Sequence, residues 1–429
     1  MATKKKKEED DNLEDLPEVE DQQPEEEDFT DSPKEEGNPF AEEKSKHYVK
    51  TMDIIFNKKD LKHAMSFLKK CVRGKTSLPI LDDFHISFHA DGSCVLTLTD
   101  LEIIAKYTIT ELKIPFDFII CVKSEEIIKI IDACIYDSIT LSIENDILRI
   151  VDGFDEFQME LFDDPAGFPI GKDLVQNEEH AIKFNKDVFV HSIKECLIYT
   201  GVDELRMTLT GINLKTMNDK LHLAATNAHM LKYIQVEDLR EGSYDVDIIL
   251  CKSFANAITL IEDGEETMQI YVDRESESAY VVSADGKQAV SGRLVDGKYP
   301  NYPAIIPKEG FNVIDLELKT FLRDIKRMIS VGGEMPCIEL NFYDDQMVIK
   351  SQSMISQKTN KIKTDVVTPK GWSVEKIGFN PKFLHAILNQ LEGEKVFLHI
   401  ISVNKAMILT CNGDTNGDIS LLMPVMLNT

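Results

Sequence analysis

The chain has 429 residues, of which 43% are hydrophobic, and its formal net charge is −27. At roughly 150 residues per domain, this length predicts two to four domains, and the acidic balance argues against a protein that coats nucleic acid by bulk attraction. There is no run of ~18 apolar residues that would predict a membrane span, and the start MATKKKKEEDD lacks the apolar stretch of a secretory signal, so we expect a cytoplasmic protein.

The first 51 residues differ in composition from the rest of the chain. They hold 8 Lys against 18 Asp and Glu, with almost no aliphatic residues between them. Such a segment cannot bury enough apolar surface to offset the entropy of ordering, so disorder is expected. It could serve as a solvating arm, or as an acidic arm that competes with DNA for basic surface or recruits a partner.

A strand followed by a helix recurs three times along the chain. The repeats begin at Met52, His180 and Asn312, and each changes from alternating apolar residues to helical spacing. The apolar positions correspond in three sets: Phe56, Phe184 and Leu316; Leu61, Phe189 and Phe321; Met65, Ile193 and Ile325. A repeat of about 130 residues therefore predicts three similar domains.

A second strand-to-helix element stands midway in each repeat, beginning at Phe118, Asp247 and Lys376. Alternating strands with turn signals follow every helix. The sequence thus predicts an α+β protein with six half-units, each a helix backed by antiparallel strands. We place the domains at 52–178, 179–309 and 310–429, after the acidic segment 1–51.

Basic residues are concentrated on the first helix of each repeat. The first carries Lys58, Lys59, Lys62, Lys69 and Lys70, then Arg73 and Lys75; the third carries Lys319, Arg323, Lys326 and Arg327; the second is weaker, with Lys186, Lys194 and the later Arg206. One such helix would be an ordinary solvated face. Recurrence at equivalent positions favours a shared surface for a polyanion.

The sequence contains no complete motif for catalysis or for metal binding. The eight cysteines contain no C-x-x-C pair and the ten histidines are scattered, which predicts reduced thiols and no metal site or cofactor. The string RGKT at Arg73 lacks the earlier glycine of a phosphate-binding loop, and the turn at Asn412 lacks the closing Glu of a calcium loop. We therefore expect a protein that is not an enzyme.

Six strings together resemble the bacterial DNA polymerase III beta subunit, the sliding clamp family, over residues 52–429. They are TSLPIL from Thr76, TDLE from Thr99, RMTLTG from Arg206, ATNAHML from Ala225, LVDGKYPNY from Leu294 and LMPV from Leu422. The acidic N-terminal extension has no counterpart in that family. Ala228 and Met230 replace the glycine and arginine of the family string, which indicates a divergent member with a narrower, more apolar cleft.

The resemblance implies a head-to-tail homodimer that closes into a ring around double-stranded DNA, contacting it without sequence specificity. It also implies partners that dock through short peptides, namely a DNA polymerase and a clamp loader. Lys75 matches the family's basic position, and Arg73, Arg206, Lys194 and Lys326 are the further DNA-binding candidates. The matching cleft positions are Leu209, Thr226, His229, Leu231, Pro300, Ile305, Leu421, Met423, Pro424 and Val425. Plain core packing is the alternative, and it suits Leu209 and Ile305 best.

The resemblance also implies two edge strands that close the ring. The first-domain strand is matched to residues 155–161, with Phe157 and Met159 as apolar contacts and Glu156 and Glu160 as acidic ones. The third-domain strand is matched to residues 357–363, with Lys358, Lys361 and Lys363. The charges are complementary, although both strands could equally be solvated faces whose signs are accidental.

Two other function classes remain open from the sequence. One is a DNA-binding module or clamp-like regulator that does not close into a ring. The other is an enzyme acting on nucleic acid, which would need clustered carboxylates or a metal site that the sequence does not offer.

Overall fold

The computed structural model describes residues 52–73, 78–144, 146–162, 165–171, 181–218, 220–236, 245–262, 266–332, 337–352, 359–413 and 417–427. All of them belong to the unit Val49–Thr429. The expected disorder of the acidic segment 1–51 lies outside the described residues, as do Lys75 and Lys358.

Six α-helices lie in the described part of the chain. They are α1 Lys58–Cys71, α2 Ser124–Ala133, α3 Lys186–Leu197, α4 Lys252–Ile258, α5 Leu318–Gly332 and α6 Pro381–Gln390. Short 3-10 helices lie at Pro79–Asp82, Pro165–Gly167, Glu204–Thr210 and Tyr302–Ala304. The two helices predicted for each repeat are therefore present.

One strand precedes each helix and three strands follow it. In chain order they are β1 Met52–Asn57, β2 Asp83–Phe88, β3 Cys94–Thr99, β4 Ile103–Ile109, β5 Phe118–Lys123, β6 Ser138–Glu144, β7 Ile147–Asp152, β8 Asp155–Glu160, β9 Ala181–Asn185, β10 Ile212–Met217, β11 Lys220–Thr226, β12 Met230–Val236, β13 Asp247–Leu250, β14 Thr267–Asp273, β15 Ser278–Val282, β16 Gln288–Arg293, β17 Asn312–Glu317, β18 Ile338–Phe342, β19 Gln346–Gln352, β20 Thr359–Asp365, β21 Lys376–Phe379, β22 Lys395–Ile400, β23 Met407–Thr410 and β24 Ile419–Leu422. All named strand pairings are antiparallel, for example β1 with β6 and β17 with β22.

Helix formation follows the sequence pattern closely in α1. Leu61, Ala64, Met65 and Leu68 recur at helical spacing and are all buried. Asn57 caps the helix by accepting a hydrogen bond from the amide of Lys59 at 2.9 Å. The apolar stripe packs on β3 and β4, and Lys59, Lys62 and Lys70 are exposed.

The three sets of repeat positions occupy the core. Phe56, Phe184 and Leu316 are 1%, 0% and 3% exposed, and the sets of Leu61 and Met65 are buried as deeply. The internal repeat predicted from the sequence therefore corresponds to repeated packing, because each copy buries the same positions against its sheets.

The described strands form four sheets. Two have four strands, in the orders β1-β6-β7-β8 and β20-β19-β18-β21, and two have eight, in the orders β5-β2-β3-β4-β16-β15-β14-β9 and β13-β10-β11-β12-β24-β23-β22-β17. In each eight-stranded sheet, one pairing joins the two neighbouring strands that are farthest apart in the sequence. This junction is β4 with β16 in one sheet and β12 with β24 in the other. The third strand after a helix thus pairs with the third strand of a later half-unit.

Within the described residues, no helix is both long and apolar enough to cross a membrane.

Candidate partner-binding cleft and sheet edges

An open cleft of about 870 Å³ lies above the junction of β12 and β24. Its walls come from the 3-10 helix at Glu204, the turn after β11, the segment around Ile305 and the end of β24. Eight of the ten predicted cleft residues line it: Leu209, Thr226, His229, Leu231, Pro300, Ile305, Leu421 and Met423.

The cleft has a buried floor and an exposed rim. Leu231 and Leu421 are each 1% exposed, whereas Ile305 and Met423 are 52% and 38% exposed. Core packing, the alternative that suited Ile305 from the sequence, does not describe an isoleucine that is half in solvent. Apolar side chains at the rim can lose further solvent contact when a partner binds, at about 25 cal/mol per Å² of apolar area.

A tight turn presents His229 to the cleft. Thr226 donates its hydroxyl to the carbonyl of Met230 at 2.7 Å, and the Asn227 carboxamide accepts from the amides of His229 and Met230. Ala228 takes a left-handed conformation with φ of 72°, which a glycine would adopt more easily. The His229 ring stacks on Phe383 with centroids 5.5 Å apart.

Of the three predicted cleft residues Met423, Pro424 and Val425, only Met423 lines the cleft. The amide of Met423 donates to the carbonyl of His229 at 2.8 Å, which holds Met423 at the cleft. Pro424 and Val425 are not among the lining residues. Val425 instead forms a β-bridge with Gly378, because its amide donates to that carbonyl at 2.8 Å.

Arg206 also lines the cleft, although the sequence grouped it with the DNA-binding candidates. Its Nε lies 3.6 Å from a carboxylate oxygen of Asp203. Lys405 lines the cleft as well. The described walls therefore place two cations beside an otherwise largely apolar surface.

Buried polar contacts join the β12–β24 floor of the cleft to α3 and the residues that follow it. The Tyr199 hydroxyl donates to Ser420 at 2.9 Å, and Lys232, only 4% exposed, pairs with Glu195 at 3.2 Å. Burial raises the pKa of Asp418 beside this pair. The region of α3 thus contacts both strands of the junction, β24 through the hydrogen bond of Tyr199 and β12 through the ion pair of Glu195.

The basic candidates lie at the surface. Lys194 on α3 and Lys326 on α5 are exposed and occupy equivalent positions of the repeat. Arg73 follows α1, is exposed, and donates from Nε to the carbonyl of Lys70 at 2.9 Å. On α5, Arg323 and Arg327 both approach the buried carboxylate of Asp324, at 3.4 and 3.3 Å.

Both predicted closure strands are sheet edges. β8 ends one four-stranded sheet and β20 ends the other. Glu156, Glu160, Lys361 and Lys363 are exposed on them, and Phe157 is half-buried. Met159 is 3% exposed within the core of its own sheet, so its side chain has little surface left for a second copy.

No cluster of three or more His, Cys, Asp or Glu within the described ranges could hold a metal ion. All eight cysteines are free. Burial raises the pKa of the Cys71 thiol to about 12 and that of Cys251 to about 11, which disfavours the reactive thiolate.

Two family models match this chain, and together they extend from residue 183 to residue 425. The model of the DNA polymerase III beta subunit, central domain, matches residues 183–301, and that of the C-terminal domain of the same subunit matches residues 303–425. The chain belongs to the DNA polymerase III beta subunit family. The matched beta subunit residues include both sides of the cleft.

The similarity to curated relatives covers nearly the full length of each relative. The Beta sliding clamp of Bacillus subtilis (strain 168) is 24% identical over 389 residues, which is 87% of this chain and 99% of the relative. That of Staphylococcus aureus (strain Mu50 / ATCC 700699) is 24% identical over 368 residues, 83% of this chain and 94% of the relative.

Solved structures share the fold. The DNA polymerase sliding clamp from Bacillus subtilis superposes with a TM-score of 0.79 at 20% identity, covering 88% of this chain and 100% of that one. The beta subunit from Streptococcus pyogenes gives 0.79 at 19% identity over the same shares. The α+β architecture with antiparallel sheets is therefore the clamp fold of the beta subunit family.

Sequence reasoning missed several beta subunit residues at the cleft. Tyr299 supports it from behind, because its hydroxyl accepts the amide of Thr226 at 3.0 Å, and its ring meets Tyr302 edge-on at 6.2 Å. Both tyrosines belong to the LVDGKYPNY string, which was the available signal. Lys405 comes from a loop between β22 and β23 and carried no signal in the sequence.

Proposed function

We propose that this chain is a DNA sliding clamp, a non-catalytic processivity factor that encircles duplex DNA. It acts as a head-to-tail homodimer of three-domain subunits, with domains near 52–178, 179–309 and 310–429. The observation that carries the proposal is the beta subunit match across 183–425 together with the clamp fold over 88% of the chain. A closed ring cannot leave DNA sideways, so it tethers a polymerase without tight contacts.

Weak contact with phosphates suits this task. Arg73, Lys194 and Lys326 are exposed basic groups, and we assign them, with Lys75, to contacts that neutralise DNA phosphates without reading bases. Arg206 is the remaining basic candidate, and its place on the cleft wall also allows it to contact a partner. The net charge of −27 for the whole chain disfavours binding of DNA by bulk attraction, so such contacts depend on local basic groups.

The cleft is the docking site for a DNA polymerase and a clamp loader in this proposal. An apolar floor with an exposed rim suits one or two apolar anchors of an extended peptide. Burial of each anchor contributes about 1.5–3 kcal/mol, which gives binding that is specific but exchangeable. Arg206 and Lys405 on the walls favour a peptide with acidic flanks.

Primer extension by the replicative polymerase of the same genome, with its clamp loader, tests this function. We expect the protein to lengthen the products of single binding events many-fold. Arg73→Ala combined with Lys194→Ala and Lys326→Ala should shorten them, increasingly so at higher salt. Products of equal length with and without the protein would contradict the proposal.

A further inference from the structure

The third repeat buries a carboxylate where the other two repeats bury small side chains. When α1, α3 and α5 are aligned on their first residues, Asp324 takes the place of Ala64 and Ser192. Ala64 is 0% exposed, and Ser192 and Asp324 are each 3% exposed. An ionised carboxylate costs far more to bury than a methyl or hydroxyl group unless cations and hydrogen bonds compensate it. Asp324 therefore requires partners that the other two repeats do without.

Two arginines of the same helix compensate the buried charge. Arg323 donates from Nε and Arg327 from Nη1, and both bonds go to the same oxygen, Oδ1 of Asp324, at 3.4 and 3.3 Å. The other oxygen, Oδ2, accepts the hydroxyl of Thr364 on β20 at 3.3 Å. Both arginine side chains remain 62% exposed. Because an arginine has five N–H donors and each bond to Asp324 uses one, the remaining donors can bind a second anion.

The equivalent positions of the other repeats do not form such a pair. His63 and His191 take the place of Arg323, and Glu195 takes the place of Arg327 in the second repeat. In the first repeat an apolar residue stands there. Within the described residues of these three helices, α5 alone brings two guanidinium groups to one buried carboxylate.

This contact changes what the two arginines can do. Like charges four residues apart on a helix repel each other, and a free arginine side chain samples many rotamers. The shared oxygen of Asp324 draws the two guanidinium groups together and limits their rotamers before any ligand binds. A phosphate can accept N–H groups from two arginines at once. A phosphate of the DNA backbone would therefore meet donors that are already close together, which lowers the entropic cost of binding.

We propose that Asp324 is a positioning residue for DNA, which holds Arg323 and Arg327 together so that both contact the phosphate backbone inside the ring. This inference rests on the proposed function as a sliding clamp. Asp324 acts through the arginines and does not itself touch DNA, because it is buried. Its negative charge weakens the attraction of DNA, and the positioning of two arginines outweighs that loss.

Asp324→Ser tests the sign of this effect. Serine is the residue of the second repeat at this place, so the helix should still fold. If Asp324 acted only through its charge, its removal would strengthen DNA binding and steepen the salt dependence. We expect the opposite, namely that affinity for a short labelled duplex falls about threefold or more and that its salt dependence becomes shallower. Fluorescence anisotropy at several salt concentrations measures both quantities.

Three further variants separate positioning from folding. Thr364→Val removes the hydrogen bond to Oδ2 and leaves both arginines in place, so it should bind DNA like the parent. Asp324→Asn keeps the shape of the side chain and removes its charge, so it should weaken binding as Asp324→Ser does. When Arg323→Gln and Arg327→Gln are already present, the added Asp324→Ser should change affinity little, because the groups that it positions are gone.

The outcomes distinguish this inference from the function on which it rests. Stronger DNA binding by Asp324→Ser or Asp324→Asn would overturn the positioning role and leave the clamp standing. An equal loss with and without the two arginines would do the same, since the effect would then come from the fold. A parent chain that neither binds the duplex nor stays on a circular plasmid after loading would overturn the proposed function as well.

Discussion

Individual side chains at the cleft divide into those that build it and those that can meet a partner. Thr226, Asn227 and Tyr299 fix the turn through hydrogen bonds to the backbone. His229 and Met423 stand at the opening of the cleft, the first stacked on Phe383 and the second held by its own amide. Substitutions in the first group should alter stability, and those in the second should alter binding.

Met423 offers a test with a matched control in the same segment. Met423→Ala removes an apolar rim contact, so we expect affinity for a peptide from the polymerase to fall about tenfold, equivalent to about 1.4 kcal/mol. Met426 is 74% exposed and does not line the cleft, so Met426→Ala should bind like the parent. Calorimetric titration of both variants measures this, and equal losses would contradict the assignment of Met423.

His85 makes stability depend on pH. It is 2% exposed and packs against Phe168 with ring centroids 5.0 Å apart. Burial, aided by nearby Lys106, lowers its pKa to about 4. The neutral ring is therefore favoured in the folded state, and stability is lost as pH falls below the unfolded value of about 6.5.

We expect this protonation to lower the unfolding free energy by about 2 kcal/mol between about pH 7 and about pH 5. His85→Phe keeps an aromatic ring and removes the proton site, so its decline over that range should be smaller by the same amount. Urea unfolding at both pH values measures it. A variant that declines as steeply as the parent would show that other groups cause the loss.

At the scale of elements, much of the fold follows from the sequence pattern. Alternation that changes to helical spacing predicted the strand and helix at Met52, His180 and Asn312, because local periodicity decides which face is buried. The family resemblance predicted eight of the residues that line the cleft. Pro424 and Val425 could not be placed, since the bridge of Val425 to Gly378 depends on long-range packing. The same holds for the place of Arg206 on the cleft wall, because the other walls come from segments distant in the sequence.

Three asparagines cap the N-termini of helices, and their contribution to stability can be tested. Asn57, Asn185 and Asn380 each accept an amide hydrogen bond at the start of α1, α3 and α6. Asn57→Ala should cost about 1 kcal/mol of unfolding free energy, whereas Asn57→Asp keeps an acceptor and should cost much less. Thermal unfolding of the two variants tests this. Equal loss in both would mean that the cap contributes little.

In the proposal, the function of the whole molecule depends on the closure of two copies into a ring. Two junctions, β4–β16 and β12–β24, are made within one chain, and a third made twice between two chains would complete a ring. In the assembly that we propose, the exposed lysines of α3 and α5 would contact DNA and the cleft would bind partners. None of them requires a catalytic group.

Retention on circular and on linear DNA tests directly whether the protein encloses DNA as a closed ring. After loading onto a nicked circular plasmid and removal of the loader, the protein should remain with the plasmid during gel filtration. Cutting the plasmid once with a restriction enzyme should release it, because a ring held only by topology slides off free ends. Retention that is equal before and after linearisation would show that the protein is not held on DNA by a closed ring.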